Sequence, residues 1–200
     1  MSHDTWLHRI VRAPVGLLVP TRVRPNHLTS ARLVTGLVAA ACFSSVSQNW
    51  IVVGAAVFLL SMLLDRADGA LARVQKSYSR FGHVYDIVTD ALVNSAVMIG
   101  IGVGVSAAGF GPLGVWLGLV AGAAIAYVLV VMMWVEQLAG TGSAKFSGAA
   151  GFDPDDAMLA VPIAMALGWN TEILFCAAVG APIAALVITW HFYRSMRSRK

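Results

Sequence analysis

A chain of 200 residues that is 58% hydrophobic and only 12% charged, with a mean hydropathy of +0.75, is too apolar for an ordinary soluble domain. Its formal charge of +4 suits anionic lipid headgroups, and no basic face carrying stacking or base-reading groups points to nucleic acid. No apolar/polar alternation over about ten residues suggests a membrane barrel, so the composition predicts an all-α fold, a polytopic membrane bundle.

Residues 3–19 mix Trp6, Leu7, Ile10 and Val11 with His8, Arg9 and Arg12, which predicts a short N-terminal helix lying on a membrane surface, broken up by Pro14 and Pro20. The polar, basic start offers no small-residue cleavage site after an apolar core, so no cleavable leader is expected. Arg24-Pro25-Asn26-His27-Leu28-Thr29 then leads into the first span, with Thr29 or Ser30 as the expected N-cap. Six transmembrane helices are expected at about 29–47, 50–75, 82–108, 112–138, 155–169 and 172–193, because these runs approach the roughly 20 apolar residues a bilayer requires. The fifth is the shortest and Pro162 interrupts it. The organisation is thus an interfacial segment, residues 1–28, and one transmembrane domain, residues 29–200.

Within span four, Gly114, Gly118 and Gly122 recur every fourth residue, a smooth stripe that serves a dimer seam or close packing inside one protomer equally well. The connection 139–154 is rich in Gly, Ala and Ser and reads as a flexible loop. Cys42 and Cys176 each fall in an apolar span and read as small buried residues rather than a metal or redox pair. No internal repeat supports an inverted-repeat transporter.

With six spans, all 14 Lys and Arg residues fall on one side, and the connections 48–49, 109–111 and 170–171 carry none. The positive-inside rule then places both termini at the cytoplasmic face of the cell (inner) membrane. On that face, between two long apolar runs, lie Asp65, Asp68, Asp86 and Asp90, four carboxylates within 26 residues. Carboxylates at membrane depth are costly and mark functional sites. Asp65 and Asp68 are three apart and Asp86 and Asp90 four apart, so each pair shares a helix face. The short link between spans two and three makes them antiparallel neighbours, able to turn both pairs toward one cavity. Four unpaired charges would repel, and hard divalent cations with oxygen ligands are the natural neutraliser. Four carboxylates suffice for two ions, an arrangement that clamps a phosphoryl group under attack. Gly69, Ala72 and Gly82 leave room for a ligand against the backbone, and Arg73 and Arg80 supply charge for phosphate oxygens. Interface salt bridges to Arg66, Arg73 and Arg80 are the plainer alternative, with Arg66 also placed to snorkel.

The pattern Asp65-x2-Asp68-Gly69-x2-Ala72-Arg73-x8-Gly82-x3-Asp86-x3-Asp90 resembles the signature of the CDP-alcohol phosphatidyltransferase family at every position. The lead-in Pro25-Asn26-x2-Thr29-x2-Arg32 is similar to that family as well. The resemblance implies a six-helix integral membrane enzyme of phospholipid biosynthesis, commonly a homodimer, that uses magnesium or manganese. It implies displacement of CMP from a CDP-alcohol, often CDP-diacylglycerol, by the hydroxyl of an acceptor alcohol. By that likeness Asp65, Asp68, Asp86 and Asp90 hold the metals and Asp90 is also the general base. Gly69, Ala72, Arg73 and Gly82 line the CDP pocket, joined by Asn26, Thr29 and Arg32, for which capping and interface anchoring are the competing roles.

The acceptor is not encoded in the signature. Asp153, Asp155 and Asp156 at the start of span five suit helix capping or contact with an acceptor, Glu136 suits an interface position or an acceptor contact, His83 suits the interface or a phosphate contact, and Lys76, Arg80 and Lys145 suit a cationic pocket for an acceptor that bears phosphate. A soluble CDP-alcohol donor with a lipid acceptor is the alternative assignment. An intramembrane prenyltransferase would need more spans and two separated Asp-rich stretches, and a non-catalytic scaffold or ion transporter would not need the full signature.

Overall fold

The computed structural model describes residue 21, residues 23–139 and residues 158–197, with side chains up to residue 135 and from 158 to 194. The expectations for residues 3–19, for most of the 139–154 connection, for Lys145, Asp153, Asp155 and Asp156, and for the side chain of Glu136 lie outside the described residues. Regular structure among the described residues is helical: α1 Pro25–Phe43, α2 Gln48–Gln75, α3 Arg80–Val105 with a π-helical continuation Ser106–Phe110, α4 Pro112–Ala139, α5 Ala160–Ala166 and α6 Asn170–Arg197. Among the described residues four stretches, Gln48–Gln75, Arg80–Phe110, Pro112–Val135 and Asn170–Arg194, are long and apolar enough to cross a membrane. They coincide with expected spans two, three, four and six. α1, with polar residues through its first two turns, and the seven-residue α5 are not among them.

α1 begins earlier than the expected Thr29/Ser30 cap. Pro25 takes the first helical position, where its missing N–H costs nothing, and the Arg24 N–H donates to His27 Nδ1 at 3.3 Å. Thr29 and Ser30 are therefore inside the helix. α2 ends where Lys76 turns left-handed at φ 50°, and the Ser77 N–H donates back to the Ala72 carbonyl at 3.1 Å. α3 starts at a true cap, with Ser79 Oγ accepting from the Gly82 N–H at 2.9 Å. Only three residues separate Lys76 from Arg80, yet α2 and α3 do not pack on each other as the short link led one to expect: α1 contacts both of them.

α1 packs against both α2 and α3, α3 against α4, α4 against α6, and α5 against α2. The buried positions of α1 are Thr29, Arg32, Gly36, Ala39, Ala40 and Phe43, one stripe at helical spacing. In α2 the stripe is Ile51, Gly54, Ala55, Phe58, Ser61, Asp68 and Leu71. In α3 it includes Thr89, Val93, Val97, Met98 and Ile101, and the three stripes meet in a core that includes Phe43, Phe58, Val93, Val97, Met98 and Ile101, with Phe43 and Phe58 edge to face at 6.3 Å. Each stripe is apolar toward one end of the bundle and polar toward the other, so the fold delivers its buried polar groups to a single end.

Glycines set how closely these helices lie. A Cβ on Gly36 would run into Val93, and one on Gly100 would run into the carbonyl oxygen of Ala40. The α4 stripe is committed within the chain: a Cβ on Gly114 would stand 2.7 Å from the Gly102 carbonyl oxygen, and one on Gly118 2.6 Å from that of Met98. Of its two readings, packing inside the protomer is therefore the one observed. The cysteines differ from expectation, since Cys42 is half-buried and Cys176 is exposed on α6. An outward-facing position on a membrane helix accepts a small apolar side chain as readily as the core does.

Candidate active site

The polar end of the bundle is built from three helices. Ser61 on α2 donates to the Arg32 carbonyl at 3.0 Å, tying α1 and α2 together just below the site. One helical turn onward α2 presents Asp65, then Asp68, and α3 presents Asp86 and Asp90 one turn apart. Asp65, Asp68 and Asp86 each bring a carboxylate oxygen within 4.8 Å of the other two. Asp68 is the buried member of this trio, and the side chains of Asp65 and Asp86 are 30% and 40% exposed, so the cluster opens outward.

Asp90 joins the cluster through α1. Arg32 Nη1 lies 2.6 Å from Asp65 Oδ1 and 3.7 Å from Asp86 Oδ1, and it contacts Asp90 Oδ1 as well. Thr29, one turn earlier on the same face, donates its hydroxyl to Asp68 Oδ2 at 2.7 Å. Every one of the four carboxylates thus has a partner on α1. The sequence assigned Thr29 and Arg32 to a nucleotide pocket, a cap or the interface. In the structure their side chains lie on the carboxylates.

The remaining candidates surround this cluster. Asn26 opens α1 beside the start of α3, where a Cβ on Gly82 would stand 3.2 Å from Asn26 Oδ1. Gly69 is exposed, and a Cβ there would meet nothing within 4 Å. Among the described residues no packing contact requires glycine at that position, although glycine inside a helix costs about 1 kcal/mol relative to alanine. Ala72 is half-buried, and Arg73, Arg80 and His83 are exposed. Two neighbours have no place in the sequence motif. Tyr85 hydroxyl and Ser30 Oγ lie 2.9 Å apart, joining α3 to α1. Thr89, beside Asp90, buries a hydroxyl with no hydrogen-bond partner among the described residues. Both sit at variable positions between signature residues, where sequence gives no reason to single them out.

The chain matches the CDP-alcohol phosphatidyltransferase family over residues 22–193, and it belongs to that family. No curated protein matches it by sequence. Family membership and four membrane-length apolar helices make it an integral membrane transferase, of a class that moves a phosphatidyl group from a CDP-alcohol to an alcohol acceptor. The family is generally dependent on divalent metal. The donors present fit such an ion: three hard carboxylate oxygens are gathered within 4.8 Å, and Arg32 offsets only one of the four negative charges around them.

Proposed function

We propose that this protein transfers the phosphatidyl group of CDP-diacylglycerol to the hydroxyl of an acceptor alcohol, releasing CMP at the cytoplasmic face of the membrane. The convergence of the signature carboxylates from two helices carries the reading. Asp65, Asp68, Asp86 and Asp90 would hold magnesium or manganese, two ions for four carboxylates. Such ions supply charge neutralisation at the phosphate oxygens and at the departing CMP oxygen.

The chain's own groups do the rest. Asp90 accepts the proton of the acceptor hydroxyl, the alcohol oxygen bonds to the phosphorus that carries diacylglycerol, and the bond from that phosphorus to CMP breaks. Gly69, Ala72 and Gly82 give the nucleotide a flat backbone surface, Asn26 lines its edge, and Arg73 meets a phosphate. Thr29 and Arg32 hold the carboxylates that face it. The open space at Gly69 supports this placement.

We also infer six spans, with residues 29–200 as one catalytic domain and residues 1–28 as a cytoplasmic, interfacial lead. The turns at 44–47, 106–111 and 167–169 contain no Lys or Arg, whereas Arg73, Lys76 and Arg80 crowd the α2–α3 turn, which supports a cytoplasmic site. A homodimer would need a face other than the α4 glycine stripe.

The test is CMP release by purified protein with magnesium or manganese. CDP-diacylglycerol is offered with glycerol 3-phosphate, inositol, inositol phosphate, serine or phosphatidylglycerol, and soluble CDP-alcohols are offered with lipid acceptors. The mass of the product identifies both substrates. Asp90→Asn should lower the rate about 10²-fold or more while the protein stays folded. Folded, metal-loaded protein that releases no CMP with any pair would reject the reading in favour of a non-catalytic membrane protein.

A further inference from the structure

Arg32 carries a full positive charge into the interior. It is 5% exposed, it sits on an apolar helix, and its backbone carbonyl is held by Ser61. A buried guanidinium is tolerable only if its charge is met, and here one nitrogen meets three carboxylates from two other helices. Two of them, Asp65 and Asp86, are members of the trio whose oxygens lie within 4.8 Å of one another. Two of the carboxylates that would ligate a cation are therefore carboxylates that Arg32 engages. Two positive groups on one carboxylate repel each other, strongly so when one is a magnesium ion that approaches its oxygen ligand to about 2.1 Å.

We propose that Arg32 is a built-in counter-cation that competes with divalent metal for Asp65, Asp86 and Asp90. It holds the acidic helix ends together before an ion arrives, and it lowers the site's affinity for the ion. The inference rests on the metal-binding reading under Proposed function and adds a role that neither the signature nor a nucleotide pocket requires. A purely structural arginine would leave metal affinity unchanged or, by keeping the carboxylates in place, raise it. A competing arginine lowers it.

Binding of manganese to the full-length protein in detergent, read from the free-ion electron paramagnetic resonance signal, separates these cases without any assay of activity. Arg32→Gln should bind manganese about tenfold more tightly or better, because a unit charge next to the site has been removed. It should also unfold at lower temperature than wild type in EDTA and gain more from added manganese. Equal or weaker manganese binding by folded Arg32→Gln overturns the proposal. If Arg32→Gln cannot be purified folded, Arg32→Lys decides: its ammonium ends one bond short of the Nη1 position that meets all three carboxylates and should hold them less well, so manganese binding should tighten. Unchanged or weaker binding by Arg32→Lys overturns the proposal. Failure of wild type and variants alike to bind manganese overturns the metal reading of the site itself, and this inference with it.

Discussion

Replacing Gly69 with alanine separates what the protein needs from what its ligand needs. The added methyl meets no atom of the described residues within 4 Å, and the residue is exposed inside α2. Packing therefore imposes no penalty, and the change from glycine to alanine inside a helix should stabilise by about 1 kcal/mol. For a chain of this size that corresponds to a rise in Tm of about 2–4 °C. If the nucleotide of the donor rests on this stretch of backbone, the same methyl stands in its way. A displacement of about 1 Å at a reacting centre costs on the order of 10²-fold in rate, so kcat/KM for the CDP-alcohol should fall by about that factor. Thermal unfolding in detergent and CMP release from CDP-diacylglycerol in mixed micelles measure the two effects on one preparation. Gly100→Ala is the control. Its Cβ would strike the Ala40 carbonyl, overpacking of this kind costs about 1–3 kcal/mol, and activity should decline only as far as stability does. A Gly69→Ala protein with raised Tm and wild-type kcat/KM would refute the placement of the nucleotide.

Gly118→Ala should lower Tm by the same overpacking route, and the loss should not depend on protein concentration, because the contact is with Met98 of the same chain; a concentration-dependent loss would restore the dimer seam. Orientation can be read with membrane-impermeant thiol reagents on a background lacking Cys42 and Cys176. Ser77→Cys in the α2–α3 turn should react in inside-out vesicles and Ser47→Cys before α2 in intact cells. The opposite pattern would move the site to the outer face.

The long apolar runs made α2, α3, α4 and α6 legible, because a helix that must cross about 30 Å of hydrocarbon announces itself by length and composition alone. α1 was harder. Arg24 to Thr29 read as a lead-in to a span capped at Thr29 or Ser30, yet Pro25 opens the helix. The spacing of Thr29, Arg32, Gly36, Ala39 and Phe43 was the available sign that the helix began earlier, with its polar residues on the inner face. The Asp pairs were legible because their geometry is local: three- and four-residue spacings put each pair on one face of its helix. The partner of those carboxylates was not legible. Divalent cations, or else Arg66, Arg73 and Arg80, were the expected neutralisers, but Arg32 comes from another helix, and only the packing of α1 against both α2 and α3 brings it there. The glycine stripe on α4 stayed ambiguous for a related reason. Close approach demands the same smooth surface whether the neighbour is α3 or a second chain.

That dependence on α1 also explains why small residues run through the core of an enzyme whose chemistry is acidic. Gly36 faces Val93, and these two residues lie one turn from Arg32 and near Asp90 on their respective helices. At that seam α1 and α3 approach as closely as a missing side chain allows. Arg32 meets Asp90 because the backbones are that close, and Ser61 fixes the Arg32 carbonyl so that α2 keeps the same distance. Packed interiors transmit displacement rather than absorb it. A methyl inserted at Gly36 would therefore push apart side chains that share one charge cluster, even though it touches none of them. Glycine at the seam is then a condition for the charge compensation one turn away, and the spacing of the carboxylates is set as much by these apolar contacts as by the acidic residues themselves.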